Sequence, residues 1–235
     1  MNLSDQEWVA LASDAGERPV LKIEAYFDLI CPWCLIGKRN LDAAVSRFAS
    51  SRPDVRVVVQ WRSHQLLPWT PLDGMPYQAF YRDRLGSAEA VAARRAQVQR
   101  AGRDAGVEFA FDRIEVLPNT AAAHDLVTFA ASRGSAVQVA ALIDRVLTAY
   151  FLEGENIGDR EVLERLGLEC GLEHEGLKAH LAISKRVADP TGERVSYAAP
   201  HVSGVPYFVF NAGYSLSGVY SPVAIASAMA LAVAG

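Results

Sequence analysis

Val20-Leu21-Lys22-Ile23-Glu24-Ala25-Tyr26-Phe27-Asp28-Leu29-Ile30-Cys31-Pro32-Trp33-Cys34 changes its period part-way along. From Val20 to Asp28, Leu21, Ile23, Ala25 and Phe27 fall on one face and Lys22, Glu24, Tyr26 and Asp28 on the other, the period of a strand. From Pro32 onward Leu35, Leu41, Val45 and Phe48 recur near helical spacing. Pro32 suits a first helical turn, where its missing N–H costs nothing. Cys31 is thereby predicted at a strand-to-helix junction. Beyond a break at Ser51-Arg52-Pro53-Asp54, the residues Val55, Val57, Val59 and Trp61 alternate again, so the chain begins with a β-α-β unit, whose strands run parallel.

After Pro68 and Pro71 the texture is helical for a long stretch. Met75 to Ala105 is rich in Ala, Arg and Gln; Thr120 to Arg133, Ala136 to Tyr150 and Asp159 to Cys170 carry apolar residues three and four apart; Leu172 to Val187 does so more weakly. Strands return at Tyr207 to Phe210 and Tyr214 to Ser217, joined by Asn211-Ala212-Gly213 as a hairpin, before an Ala-rich helix from Pro222. A β-α-β half and a β-β-α half thus enclose a helical block. The fold class read from this order is α/β, a thioredoxin fold with a large inserted α-helical domain. Its expected parts are a flexible extension over 1–19, the thioredoxin domain over 20–70 and 190–235, and the insertion over 71–189.

Composition narrows the function. A chain of 235 residues that is 51% apolar can bury a large core, and a net charge of -4 offers no basic face for nucleic acid. Its apolar runs are too short to cross a bilayer. Residues 1–19 include Asp5, Glu7, Asp14 and Glu17 and have neither the basic nor the apolar segment of a secretory signal, so with Met1 as the native start a cytoplasmic location is expected. Three cysteines cannot make a disulfide framework, and a cytoplasm keeps ordinary thiols reduced. Cys31 and Cys34 therefore read as a catalytic, redox-sensing or metal-binding pair.

A cysteine at a helix N-terminus meets unpaired N–H groups and the positive end of the helix dipole, which favour the thiolate, the attacking species. Cys34 lies one turn on along the same face, where it can attack a mixed disulfide at Cys31 and close an internal disulfide. The intervening Pro32-Trp33 helps set the potential of that pair. Asp28 ends the strand just before the pair; it could accept the Cys34 proton, or simply cap a turn. A zinc site needs two further ligands at motif spacing, and none is present, so no metal is expected. Cys170 follows Val162 and Leu166 at intervals of four and reads as a small core hydrophobe. His124, between apolar neighbours on a predicted helix, reads as a structural histidine, and His64, His174, His180 and His201 as surface or loop residues. Pro206 precedes a strand; cis X-Pro bonds are about one in twenty in folded proteins, so physics alone favours trans.

Several stretches together resemble the FrnE-like branch of the DsbA family of thiol:disulfide oxidoreductases. They are Phe27 to Cys34 with Ile36-Gly37-Lys38, Trp61-Arg62, Pro118-Asn119-Thr120 with His124, Ala149-Tyr150-Phe151 with Glu153-Gly154 and Ile157, and Val202-Ser203-Gly204-Val205-Pro206-Tyr207-Phe208. The resemblance runs from Val20 to the C-terminus. It implies a redox-active Cys31–Cys34 disulfide, a cis peptide at Val205-Pro206 packed against the pair, and a substrate groove lined by Pro32, Trp33, Val205 and Pro206. There the Val205 backbone would pair with an extended substrate segment. A related branch resembles 2-hydroxychromene-2-carboxylate isomerase and kappa-class glutathione transferases; those have serine at the position of Cys31, and the Asn119 region could contact glutathione or another small molecule.

The leading expectation is a cytoplasmic oxidoreductase exchanging electrons with protein or small-molecule disulfides. It needs no cofactor beyond glutathione as a co-substrate. The alternatives are a glutathione-dependent isomerase or transferase on the same fold, and a chaperone-like or zinc-binding module that uses the helical block.

Overall fold

The first strand, β1 (Val20–Phe27), carries the alternation into space: Leu21, Ile23 and Ala25 are fully buried and Phe27 nearly so. A helix, α1 (Pro32–Ser51), leads from it to β2 (Arg56–Ser63), which pairs with β1 in parallel from Val20↔Arg56 to Phe27↔Ser63. The protein is described by a computed structural model, covering residues 18–187 and 202–234. Near its end β5 (Tyr207–Phe210) lies antiparallel to β1, and β6 (Tyr214–Ser217) antiparallel to β5, giving the mixed order β2-β1-β5-β6. The hairpin turn holds Asn211 and Ala212 at φ 47 and 57. Asn211 offsets that conformation by locking the turn to its surroundings: its side chain accepts from the Lys22 N–H at 2.9 Å and donates to the Ala232 carbonyl at 2.8 Å.

One face of this sheet is covered by α1 and the last helix, α8 (Pro222–Ala234). Leu21, Ile23, Phe208 and Phe210 from the strands meet Leu41, Ala44 and Phe48 of α1 and Ile225 and Met229 of α8. Each such buried side chain contributes roughly 1.5–3 kcal/mol.

The helical block follows as expected, with finer divisions. A short antiparallel pair, β3 (Met75–Pro76) with β4 (Val116–Leu117), brackets α2 (Tyr77–Leu85) and α3 (Ala88–Asp104). The expected single stretch over Met75 to Ala105 is broken where Gly86 takes φ 86 and the Ser87 hydroxyl accepts from Ala90 N at 3.1 Å, a cap that restarts the helix. Then come α4 (Ala121–Arg133), α5 (Ala136–Thr148), α6 (Arg160–Glu169) and α7 (His174–Val187). A capping box between Ser135 and Gln138 starts α5. The predicted end of α5 at Tyr150 is instead a π-helical turn, Ala149–Glu153, closed by Gly154 at φ 80. A Cβ on Gly154 would lie 2.5 Å from the Arg113 carbonyl oxygen, so only glycine fits.

The block shares its core with the cysteine motif. Phe27, Leu29, Ile30, Cys31, Cys34, Leu35 and Ile36 belong to one buried cluster with Leu126, Leu142, Ile143, Val146, Tyr150 and Phe151. The expected limits of the insertion, residues 71 and 189, fall between β2 and β3 and outside the described residues; the expected extension over 1–19 is described only at 18 and 19.

Candidate active site

Cys31 is the N-cap residue of α1, extended at φ -96 and ψ 110, with Pro32 in the first turn. The sequence turns here because proline provides a helix-ready φ while having no N–H to leave unpaired. The Cys31 N–H donates to the Asp28 carbonyl at 3.2 Å and its carbonyl accepts from Cys34 N at 2.9 Å, which fixes the two sulfurs on one turn. Both are free thiols, 5% and 2% exposed by residue. The Cys31 thiol points at the Val205 carbonyl oxygen, 3.5 Å away.

Val205–Pro206 is a cis peptide and forms the opposite wall. That wall approaches α1 closely because residue 37 has no side chain. A Cβ on Gly37 would sit 2.8 Å from Pro206 Cγ and 3.4 Å from Phe208 Cζ. Pro32 and Trp33 stand at the start of the same helix, and the Arg94 guanidinium of α3 lies over the Trp33 ring, 5.4 Å from its centre. The inserted block thus reaches the motif's own dipeptide.

Burial pushes the Cys34 thiol well above its ordinary value, reinforced by its hydrogen bond to Cys31 and by charge on Cys31. Contact with the Asp28 backbone pulls the other way, and the Asp28 carboxylate charge adds to the rise. Cys34 is thus held as a thiol while Cys31 occupies the helix N-terminus. The pair is chemically unequal.

Asp28 is fully buried at the end of β1. Oδ1 accepts from Leu29 N at 2.7 Å and lies 3.1 Å from His124 Nε2, and Oδ2 accepts from Leu66 N at 2.7 Å. An ionised carboxylate can only accept, so the His124 tautomer that faces it carries its hydrogen on Nε2. His124, also fully buried, comes from α4 and packs edge-on to Phe27 with ring centres 5.4 Å apart. Three phenols complete the surroundings. Burial raises Tyr81 to about 12, with the charges of Cys31 and Asp28 adding to it, and burial likewise pushes Tyr77 and Tyr150 up.

The family of the DSBA-like thioredoxin domain matches residues 22–230. The chain belongs to that family. Among solved structures it is similar to a probable DsbA oxidoreductase, SCO1869 of Streptomyces coelicolor, with a TM-score of 0.76 and 26% identity over 90% of this chain and 89% of that one. It is 25% identical over 189 residues to the uncharacterized protein YwbO of Bacillus subtilis, 80% of this chain and 85% of that protein. The fold is also shared with DsbM of Pseudomonas aeruginosa, a cytosolic disulfide reductase solved with glutathione, at a TM-score of 0.53 and 20% identity, covering 89% and 96% of the two chains. The thioredoxin fold with a helical insertion is therefore the fold of this DsbA-family oxidoreductase.

Cys31, Cys34, Pro32, Trp33, Asp28, Val205 and Pro206 come together from β1, α1 and the segment before β5. Asn119 does not line the surface. It is 4% exposed; Oδ1 accepts from Gln65 Nε2 and Ala121 N at 3.0 Å each, and Nδ2 donates to the Thr70 carbonyl at 2.6 Å. Its amide is committed to pinning a loop, which corrects the reading of a small-molecule contact there. Cys170, expected as a small core hydrophobe, is the partly buried C-cap of α6 and packs against the edge of the core cluster. His180 likewise is no simple surface residue: it stacks on Phe129 with ring centres 4.8 Å apart. His201 lies outside the described residues. Among the described residues no three His, Cys, Asp or Glu side chains gather as metal ligands, and no helix is long and apolar enough to cross a membrane.

Sequence reasoning passed over the contact between His124 and Asp28 and the approach of Arg94 to Trp33. Both join residues far apart in the chain, and a buried pair contributed by a strand end and a helix interior leaves no periodic trace. The one signal was that His124 falls within the motif run that begins at Pro118.

Proposed function

We propose that this protein is a thiol–disulfide oxidoreductase in which Cys31 attacks a protein or small-molecule disulfide and Cys34 resolves the product. The Cys31 thiolate would displace one substrate thiolate and form a mixed disulfide. Cys34 would then lose its proton to Asp28 and attack Cys31 Sγ, releasing the second substrate thiol and leaving a Cys31–Cys34 disulfide; the substrate gains the two electrons the protein loses. The observation that carries this reading is the inequality of the pair. One sulfur is at the helix N-cap facing the Val205 carbonyl, and the other is buried as a thiol beside an acidic group.

Pro32, Trp33, Val205 and Pro206 are proposed to contact substrate, with the backbone at Val205 pairing to an extended segment. Within the family, the motifs around Cys31 and Val205 support a place in the FrnE-like branch. A cytoplasmic setting and a reducing direction, with glutathione returning the pair to the dithiol, are proposed by analogy with DsbM. Insulin reduction coupled to glutathione tests the reading. The wild type should turn over and Cys31→Ser should not. Turnover that persists unchanged in Cys31→Ser would eliminate it, and activity that needs glutathione but not Cys34 would move the assignment to a glutathione-dependent isomerase or transferase.

A further inference from the structure

The Asp28 carboxylate is held from outside its own strand by two donors, and both trace back to one residue. Leu66 N, on Oδ2, belongs to the loop after β2; His124, on Oδ1, belongs to α4 of the helical block. Asn119 ties these two segments together. Its Oδ1 accepts from Gln65 Nε2, next to Leu66, and from Ala121 N, which opens α4; its Nδ2 donates to the Thr70 carbonyl at the other end of the loop. The side chains of Gln65, Thr70, Asn119 and His124 are all buried, although Leu66 itself reaches the surface.

We propose that Asn119 and His124 form a clamp by which the helical block sets the readiness of Asp28 to take the Cys34 proton. The inference rests on the dithiol reading above. Leu29 N and Leu66 N are backbone amides that can only donate, so they favour the carboxylate and resist its protonation. Among the described residues His124 is the side chain that meets the carboxylate as a hydrogen-bond donor, so the helical block helps set how firmly Asp28 holds its charge. Asn119 acts one step further out: it ties Gln65, next to Leu66, and Thr70 to the start of α4. His124 and Asn119 are positioning residues, acting through Asp28.

The titratable groups around the carboxylate are Cys31 and Cys34 of α1, Tyr81 of α2, Tyr150 of the π-helical turn, and His124 of α4. Tyr77 lies behind the two tyrosines, and His64 is bonded through its backbone N–H to the Phe27 carbonyl. The phenols stay neutral through the working range, because burial raises all three.

The test is the rate at which a preformed mixed disulfide at Cys31 is resolved, measured in single turnover across pH. His124→Leu removes the side-chain donor and should slow resolution about tenfold while moving the acid limb of the profile to higher pH, as expected for loss of one charge-assisted hydrogen bond. His124→Gln places an amide N–H near the Nε2 position and should restore most of the rate. Asn119→Ala should move the profile in the same direction as His124→Leu, in protein shown to be folded by its thermal transition. In an Asp28→Asn background neither change should alter the rate by more than about twofold, since their route runs through the carboxylate. Equal effects with and without Asp28, or a failure of His124→Gln to recover the rate, would overturn the clamp and leave a purely structural role. Normal trapping of the mixed disulfide with an unmoved pH profile would overturn the clamp alone, whereas absence of any mixed disulfide would sink the dithiol reading and the clamp with it.

Discussion

Gly37→Ala isolates the fit between the two walls of the site. Alanine is the better helix former by about 1 kcal/mol, so at an exposed position in α1 the change would stabilise the protein. Here the added Cβ would lie 2.8 Å from Pro206 Cγ and 3.1 Å from Pro206 Cβ. The closer contact is roughly 0.7 Å inside the ordinary carbon–carbon separation. The proline ring cannot swing aside as a long side chain would, and Phe208 stands behind it with Cζ 3.4 Å from the same point. Overpacking of this kind costs about 1–3 kcal/mol, so helix propensity offsets part of it and a net loss of about 0–2 kcal/mol is expected. The larger effect should be on activity. The relief available is to push Pro206 and Val205 away from α1, and Val205 carries the carbonyl that Cys31 faces at 3.5 Å. Urea unfolding of the reduced protein measures the first quantity and insulin reduction the second; activity should fall by more than stability explains. A Gly37→Ala protein stabilised by about 1 kcal/mol with wild-type turnover would refute the argument, since the walls would then have room to spare.

Other consequences follow from buried groups. Cys34 is raised in the folded protein above the ordinary thiol value of 9.0, so the stability it contributes is complete below that pH and is lost as pH rises toward the folded value. Reduced wild-type protein should therefore lose stability through the alkaline range, and Cys34→Ala should flatten that limb in denaturant titrations. The Tyr150 hydroxyl is buried with no hydrogen-bond partner among the described residues. Tyr150→Phe should for that reason be neutral or stabilising by up to about 1–3 kcal/mol in thermal unfolding; a clear loss would reveal a partner for the hydroxyl. Arg94→Ala removes the cation over Trp33, a contact worth about 0.5–2 kcal/mol, and should raise the KM for a peptide disulfide more than it lowers stability.

What the sequence disclosed and what it hid divide along a physical line. The alternation through Leu21, Ile23, Ala25 and Phe27 and the matched strands Tyr207 to Phe210 and Tyr214 to Ser217 were legible because one face of each is buried and the period survives. The place of Cys31 was legible because proline at the next position punctuates the backbone. Met75–Pro76 and Val116–Leu117 are too short to have a period, and the π-helical turn at Ala149–Glu153 has the same apolar composition as the helix before it. The break at Gly86 was visible as a glycine but not as a boundary, because helical composition continues on both sides. In the site, Asn119 and His124 stood out by resemblance, yet their geometry depends on which loop and which strand end they meet. Asn119 looked like a ligand contact and is instead a buried staple; His124 read as a structural histidine and is one, buried against Phe27, but its partner, the Asp28 carboxylate, could not be read from the sequence.

The most direct test of the central claim is to react Cys34→Ala and Cys31→Ala proteins with a peptide disulfide and to locate any adduct by intact-mass and peptide mapping. The account expects a stable mixed disulfide on Cys31 in the Cys34→Ala protein, released on adding dithiothreitol, and none on Cys34 in the Cys31→Ala protein, where the remaining thiol is buried and held protonated. An adduct on Cys34, or none on Cys31, would contradict it.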